Sequence, residues 1–197
     1  MARHKSDNYD QVKAAIIDAA AEVFAEKKFR NTNIIEIGNA CNASKSRLYH
    51  YYPSKEAMLF EMLQEHVTAL VNEATSVFEQ AMPIEARFAA YIRLHINYYL
   101  DNRAKHAVLL NDIENLPEEQ HKEIRKLESR LVELMTKLLK ELNPALFKKT
   151  HAAKTHAMLI YGMMNWTYTW YHSSGPINPE QLATYITDLC LKGLQER

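Results

Sequence analysis

Between Cys41 and Lys55 the sequence places Ser44, Lys45, Ser46, Arg47, Tyr49 and His50 without a single carboxylate. Hydroxyls, an ammonium, a guanidinium, a phenol and an imidazole are groups that hydrogen-bond to phosphates and base edges. Turning a helix at about 100° per residue sorts them. Leu48, with Tyr51 and Tyr52 one turn on, points to a core; Ser46 and His50 lie almost opposite, flanked by Arg47 and Tyr49. Laid in a DNA major groove, that face offers Arg47 to guanine acceptors, and Ser44, Lys45, Tyr49 and Lys55 to phosphates. A solvated helical hairpin carries the same pattern, and spacing alone does not separate the two.

Other chemistry is thinly represented. The chain has no phosphate-cradling glycine loop, no G-x-S-x-G and no H-E-x-x-H. His151 and His156 are five residues apart and share no helix face suited to a metal, so neither cofactor nor metal is expected. Glu61 and Glu65 are carboxylates one helical turn apart, with Glu65-His66 reading as a solvated rim. A denser constellation joins Met158, Tyr161, Met163, Trp166, Tyr168, Trp170 and Tyr171 to Tyr91, His95, Tyr98 and Met135. Polar-tipped rings are costly to bury without partners, so this density points to an apolar pocket with a few polar tips. Its candidate effector-binding residues are Tyr91, His95, Tyr98, Met135, Met158, Met163, Trp166 and Trp170. Taken singly, each also suits an ordinary helical core.

The elements that position these groups are all helices, roughly nine of them. A helix from about Tyr9 to Lys28 buries Ile16, Ala19, Ala20, Val23 and Phe24. Ile34, Ile37 and Ala40 mark a short second helix. The turn Cys41-Asn42-Ala43 needs a left-handed residue at Asn42, and Ser44 caps the next helix. Residues 1–8 read as frayed, with Arg3 and Lys5 free to touch DNA backbone. A long helix, Ser54 to about Ala81, carries Met58, Leu59, Met62, Leu63, His66 and Leu70 and links the two ends of the chain. Further helices span about 84–100, 103–114, 117–142, 144–172 and 178–194, the last two opened by Asn143-Pro144 and Asn178-Pro179.

The run Thr32–Glu56 resembles the helix-turn-helix of the tetracycline-repressor (TetR) family. That family's usual pattern is close to T-T-x-x-x-I-A-x-x-A-G-V-S-x-G-x-L-Y-x-H/Y-F-x-S-K-E. Thr32, Ile37, Ala40, Ser44, Leu48, Tyr49, Tyr51, Ser54, Lys55 and Glu56 match, while Gly38, Asn42, Ala43, Ser46 and Tyr52 depart from it. The resemblance implies DNA binding through Thr32, Ser44, Lys45, Ser46, Arg47, Tyr49, His50 and Lys55. It also implies a homodimer closed by the last two long helices, here through Ala153, Ala157, Ile160, Met164 and Tyr168 and through Leu182, Tyr185, Ile186, Leu189 and Gly193. The tail from Gly162 resembles members that sense acyl-coenzyme A thioesters, which implies an acyl-CoA or fatty-acid-like effector.

Formal net charge is zero over 197 residues, so DNA affinity must come from a local patch. The two cysteines, Cys41 and Cys190, read as buried free thiols, and no apolar run reaches membrane length. The expectation is a cytoplasmic, all-α regulator. Residues 1–53 form a three-helix DNA-binding domain, and residues 54–197 bind effector and dimerise. Its partners would be double-stranded operator DNA, a second copy and a small apolar effector that releases a repressor. The competing readings are a DNA-binding architectural protein without effector and an all-α enzyme.

Overall fold

The computed structural model describes residues 3–148 and 151–193, with side chains from Tyr9 onward. The expected roles of Arg3 and Lys5 lie outside the described side chains. Every regular element among the described residues is helical: α1 (Arg3–Lys27), α2 (Ile34–Ala40), α3 (Lys45–Tyr51), α4 (Lys55–Phe78), α5 (Ile84–Asp101), α6 (Arg103–Asp112), α7 (Glu118–Leu142), α8 (Ala152–Asn165), the single turn α9 (Thr167–Trp170) and α10 (Pro179–Gly193). None is long and apolar enough to cross a membrane.

Two compact units emerge. The first takes residues 1–66 with 104–124, and the second takes residues 67–103 with 125–197. In the first, Ile16, Ala20, Val23 and Phe24 of α1 are buried as expected while Ala19 is half-buried. Met58, Leu59, Met62, Leu63 and His66 of the predicted α4 stripe are buried; its Leu70, also buried, belongs to the second unit. The first unit also includes α6, far along the chain from its other helices. In the second, α5 buries Phe88, Tyr91, Ile92, His95, Ile96 and Tyr99. Both α8 and α10 pack against α5.

Local chemistry sets most element ends. Ser54 Oγ accepts the Ala57 amide at 3.1 Å and starts α4. Asn178 Oδ1 accepts from the Gln181 amide at 2.8 Å, and Gln181 Oε1 accepts from the Asn178 amide at 3.0 Å. That reciprocal box, with Pro179 following, starts α10. Asn143-Pro144 uses the same device with a smaller result. Asn143 Oδ1 accepts from Leu146 at 2.8 Å, yet only the 3-10 turn Leu146–Lys148 follows. The helix expected over 144–172 is therefore divided into that turn, α8 and α9. Both cysteines are free but half-buried rather than enclosed, Cys41 because it sits at the end of α2 with its thiol on the Ile37 carbonyl at 3.2 Å.

Between α1 and the 3-10 turn Phe29–Asn31, Lys28 adopts φ 70°, ψ 149°. That region is open to glycine and costs other residues of order 1–3 kcal/mol. Lys28→Gly should relieve the strain, against glycine's own entropy cost. We expect a net stabilisation of about 1 kcal/mol, raising Tm by about 3 °C. A melting temperature at or below that of the parent would show that no strain is stored there.

Candidate DNA-reading face and effector cluster

Asn33 opens α2 with a capping box: its side chain accepts the Ile35 and Glu36 amides at 2.9 and 3.1 Å, and Glu36 accepts the Asn33 amide at 2.8 Å. Glu36 also pairs with Lys27 at 2.6 Å. The turn closes through the Ala43 amide on the Gly38 carbonyl at 2.8 Å. Asn42 has φ 52°, the left-handed conformation its type suggested. A Cβ added at Gly38 would lie 2.5 Å from the Ala43 carbonyl oxygen. The departure from the family's usual alanine thus belongs to an unusually close turn.

Ser44 Oγ accepts the Arg47 amide at 3.2 Å and caps α3. Leu48 and Tyr52 are buried, so α3 turns Lys45, Ser46, Arg47, Tyr49 and His50 to solvent. Lys45 Nζ lies 5.9 Å over the Tyr49 ring. Tyr9 of α1, which the sequence gave no reason to single out, stacks on Tyr51 at 4.6 Å and meets His50 edge-on at 6.3 Å. Tyr52 donates to Glu61 at 2.9 Å, and Lys13 pairs with Glu61 at 2.7 Å. Glu61 is thereby a fixed anchor between α1, α3 and α4; of the pair read as a solvated rim, Glu65 is exposed and His66 is buried.

Two expected DNA contacts point inward instead. Thr32 is buried, and its hydroxyl donates to the Lys28 carbonyl at 3.0 Å. Lys55 donates to the carbonyls of Phe29 and Thr32 at 2.7 and 2.8 Å. The Lys28 and Phe29 carbonyls already accept the Asn31 and Thr32 amides at 3.2 and 3.3 Å, and their second lone pairs take these side-chain donors.

The effector candidates divide in the second unit. Tyr91, His95 and Met135 are fully buried together with Tyr161, whereas Tyr98 and Met163 are half-buried. Met158, Trp166 and Trp170 are 53%, 65% and 47% exposed and lie outside that cluster. Apolar residues on α8 recur on two faces, Ile160, Tyr161 and Met164 on one and Met158 and Leu159 on the other, and composition does not say which face turns outward. Inside the cluster, His95 Nδ1 donates to the Tyr91 carbonyl at 2.8 Å, which leaves Nε2 as acceptor facing the Tyr161 hydroxyl at 3.4 Å. The Tyr91 and Tyr161 hydroxyls lie 3.0 Å apart and share the Leu131 carbonyl at 3.2 and 3.0 Å. Burial pushes the His95 imidazole down to about 4, against a smaller upward pull from its hydrogen bond to the Tyr91 carbonyl. Burial raises both phenols, so the cluster is neutral near pH 7. Elsewhere in this unit an open cavity of about 400 Å³ is lined by Leu100, Arg103, Tyr171, Pro176 and Gln181 among others. None of the effector candidates lines it.

The stripes expected to face a second copy are corrected in part: Tyr185, Leu189 and Gly193 are exposed as expected, but most of the others are not. Ala153, Ala157, Ile160 and Met164 of α8, and Leu182 and Ile186 of α10, are buried within the unit, and Tyr168 is half-buried. The outward apolar residues are Met158, Leu159 and Trp166 beside Gly162, and Tyr185 and Leu189.

Comparison with known proteins gives this arrangement a family. Residues 16–62 match bacterial regulatory proteins of the tetR family, and residues 81–194 match the tetracyclin repressor-like C-terminal domain. A TetR-family transcriptional regulator from Bordetella parapertussis 12822 superposes with a TM-score of 0.87 at 36% identity, covering 90% of this chain and 93% of that one. AibR, solved in complex with isovaleryl coenzyme A and operator DNA, shares the fold with a TM-score of 0.78 at 22% identity, over 90% and 97%. The HTH-type transcriptional regulator RutR of Escherichia coli (strain K12) is 30% identical over 89 residues, 45% of this chain and 42% of RutR. The match to YuxN of Bacillus subtilis (strain 168) is 46% identical over 48 residues, 24% of this chain and 16% of YuxN. The chain therefore spans less than half the length of these two curated relatives. It belongs to the TetR family of transcriptional regulators.

Two outcomes follow from this geometry. Losing a base-edge contact costs roughly 1–3 kcal/mol at one position, whereas losing a phosphate contact weakens all sequences alike. Arg47→Ala should lower the ratio of operator to scrambled-DNA affinity, and Tyr49→Phe should lower both affinities together. An unchanged ratio for Arg47→Ala would remove Arg47 from base reading. The second outcome concerns acid. His95 binds a proton near pH 4 when folded and about 6.5 when unfolded. The unfolded chain takes up the proton first, so stability is full above pH 6.5 and falls toward pH 4, by up to about 3 kcal/mol. His66, pushed down to about 4 by burial and by Lys105, acts in the same direction. Urea unfolding at pH 7.5 and pH 5 should show the loss, and His95→Gln should reduce it. An equal loss in that variant would acquit His95.

Proposed function

We propose that the chain is a homodimeric repressor that reads its operator with α3 and leaves it when a small, largely apolar effector enters the second unit. The buried cluster of Tyr91, His95 and Tyr161 carries this reading. Its hydroxyls and imidazole are satisfied by one another and by one backbone carbonyl within an aromatic and methionine-rich interior. Sites for apolar ligands are built from such interiors with a few convergent polar tips. An acyl chain with a carbonyl or thioester group could replace the hydroxyl–hydroxyl contact without leaving a donor unpaired. AibR shares only the fold, so its isovaleryl coenzyme A is the first compound class to try.

A ligand shifts the DNA-reading helix only by binding one conformation better than the other. Helix α4 contributes residues 55–66 to the first unit and 67–78 to the second, so it supplies a continuous hydrogen-bonded route between them. Coupling of this type is commonly about 1–3 kcal/mol, or five- to 150-fold in operator affinity, and it is reciprocal. Fluorescence anisotropy on an enriched operator duplex should show that release with a short-chain acyl-CoA. Tyr161→Phe and His95→Gln should lose the response while keeping unliganded DNA binding. If both respond as the parent does, the effector sits elsewhere.

Assembly rests on the outward faces of α8 and α10. Leu159 and Leu189 are 66% and 63% exposed, and Gly162 has open space where a side chain would be, which permits close approach of another helix. Leu159→Glu and Leu189→Glu together would place unpaired charge in such an interface. Sedimentation should then show monomers. A dimer that persists unchanged would move the interface to another surface.

A further inference from the structure

We propose that Lys55 and Asp112 are positioning residues that grip the Phe29 peptide from both sides and set the angle at which the helix-turn-helix meets DNA. The Phe29 amide donates to Asp112 Oδ1 at 3.3 Å, and the Phe29 carbonyl accepts from Lys55 Nζ at 2.7 Å. Lys55 also reaches the Thr32 carbonyl at 2.8 Å and lies 4.2 Å over the Phe29 ring. Arg30 donates to Asn115 at 2.7 Å, while Asn115 holds the Asp112 carbonyl at 2.9 Å. Residues 28–32 are thus fastened to the start of α4 and to the end of α6. The next residue, Asn33, caps α2.

Each component is costly alone. Asp112 is 4% exposed, and burial raises its carboxyl, opposed by the Phe29 amide and by Lys28, Arg30 and Lys55. Lys28, immediately before the grip, holds a glycine-like conformation. Strained residues persist where surrounding contacts over-determine them, and these contacts do so from two helices. A Lys55 engaged with two carbonyls and a ring serves the frame of the reader and is not extended toward phosphate. Only Asn102 separates α5, bearing Tyr91 and His95, from α6. The chain thus continues from the second unit into α6, whose Asp112 hydrogen-bonds to Phe29, a link to the reader besides α4; this last step rests on the effector reading above.

The test needs no effector. A duplex is enriched from random-sequence DNA by the full-length parent, and its affinity is measured across a salt series at a temperature where every variant is folded. Lys55→Met and Asp112→Leu should each lose at least fivefold in affinity with the slope of log affinity against log salt unchanged, since no phosphate contact disappears. Asp112→Asn, which keeps an acceptor for the Phe29 amide, should recover most of the loss. A slope shallower by about one in Lys55→Met would make it a phosphate ligand and overturn the proposal. Parental affinity accompanied by a lower Tm would also overturn it, leaving a purely structural role. If Asp112→Leu does not fold, or the parent enriches no duplex, amide exchange decides. Lys55→Met should accelerate exchange at residues 29–33, and unaltered exchange there would refute the grip. Failure to enrich a duplex would count against operator reading itself, whatever the exchange shows.

Discussion

The DNA-reading unit depends on one carboxylate. Glu61 of α4 accepts from the Tyr52 phenol at the end of α3 and pairs with Lys13 of α1. Three helices that share no backbone hydrogen bonds are thereby referred to one point. The groups are part-buried, so the charge-assisted bonds are stronger than exposed ones while desolvation remains modest. Apolar contacts of Leu48, Ile37 and Phe24 supply the non-directional adhesion. Glu61 adds direction, which a reader of base edges needs because base contacts tolerate little displacement.

The second unit solves a different problem. Its interior holds hydroxyls and an imidazole that must be paired within the protein, and Tyr91, His95, Tyr161 and the Leu131 carbonyl pair them in a closed set. Closed polar sets favour one arrangement over its alternatives. On the effector reading proposed above, the same property would allow exchange: a ligand that supplies equivalent acceptors could replace one arrangement with another, which an all-hydrocarbon core does not permit.

Much of the reader was legible in order along the chain. The left-handed turn at Asn42, the caps at Ser44 and Ser54, and the buried side of α4 all follow from contacts within a few residues or from one periodicity, as does the Asn178 cap of α10 in the second unit. The capping box of Asn33 and Glu36 was also legible, as N-x-x-E ahead of an apolar run, and shows why the Thr32 hydroxyl is not needed there. Gly38 is different. Its missing Cβ matters only because the Ala43 carbonyl comes within 2.5 Å of where that carbon would be, a distance that no pattern reports.

By itself the sequence determined helical class, the order of the helices, the turn and the carboxylate-free face of α3, because each is set by local backbone preference and by the 3.6-residue period. Tertiary structure alone decided which of two apolar faces on α8 and α10 turned outward, that Thr32 and Lys55 spend their donors on carbonyls, and that Asp112 reaches back to Phe29 over 83 residues. The physical reason is common to all three. Periodicity reports that a face is apolar and residue type reports that a group can donate, but the partner is chosen by proximity after the chain has packed.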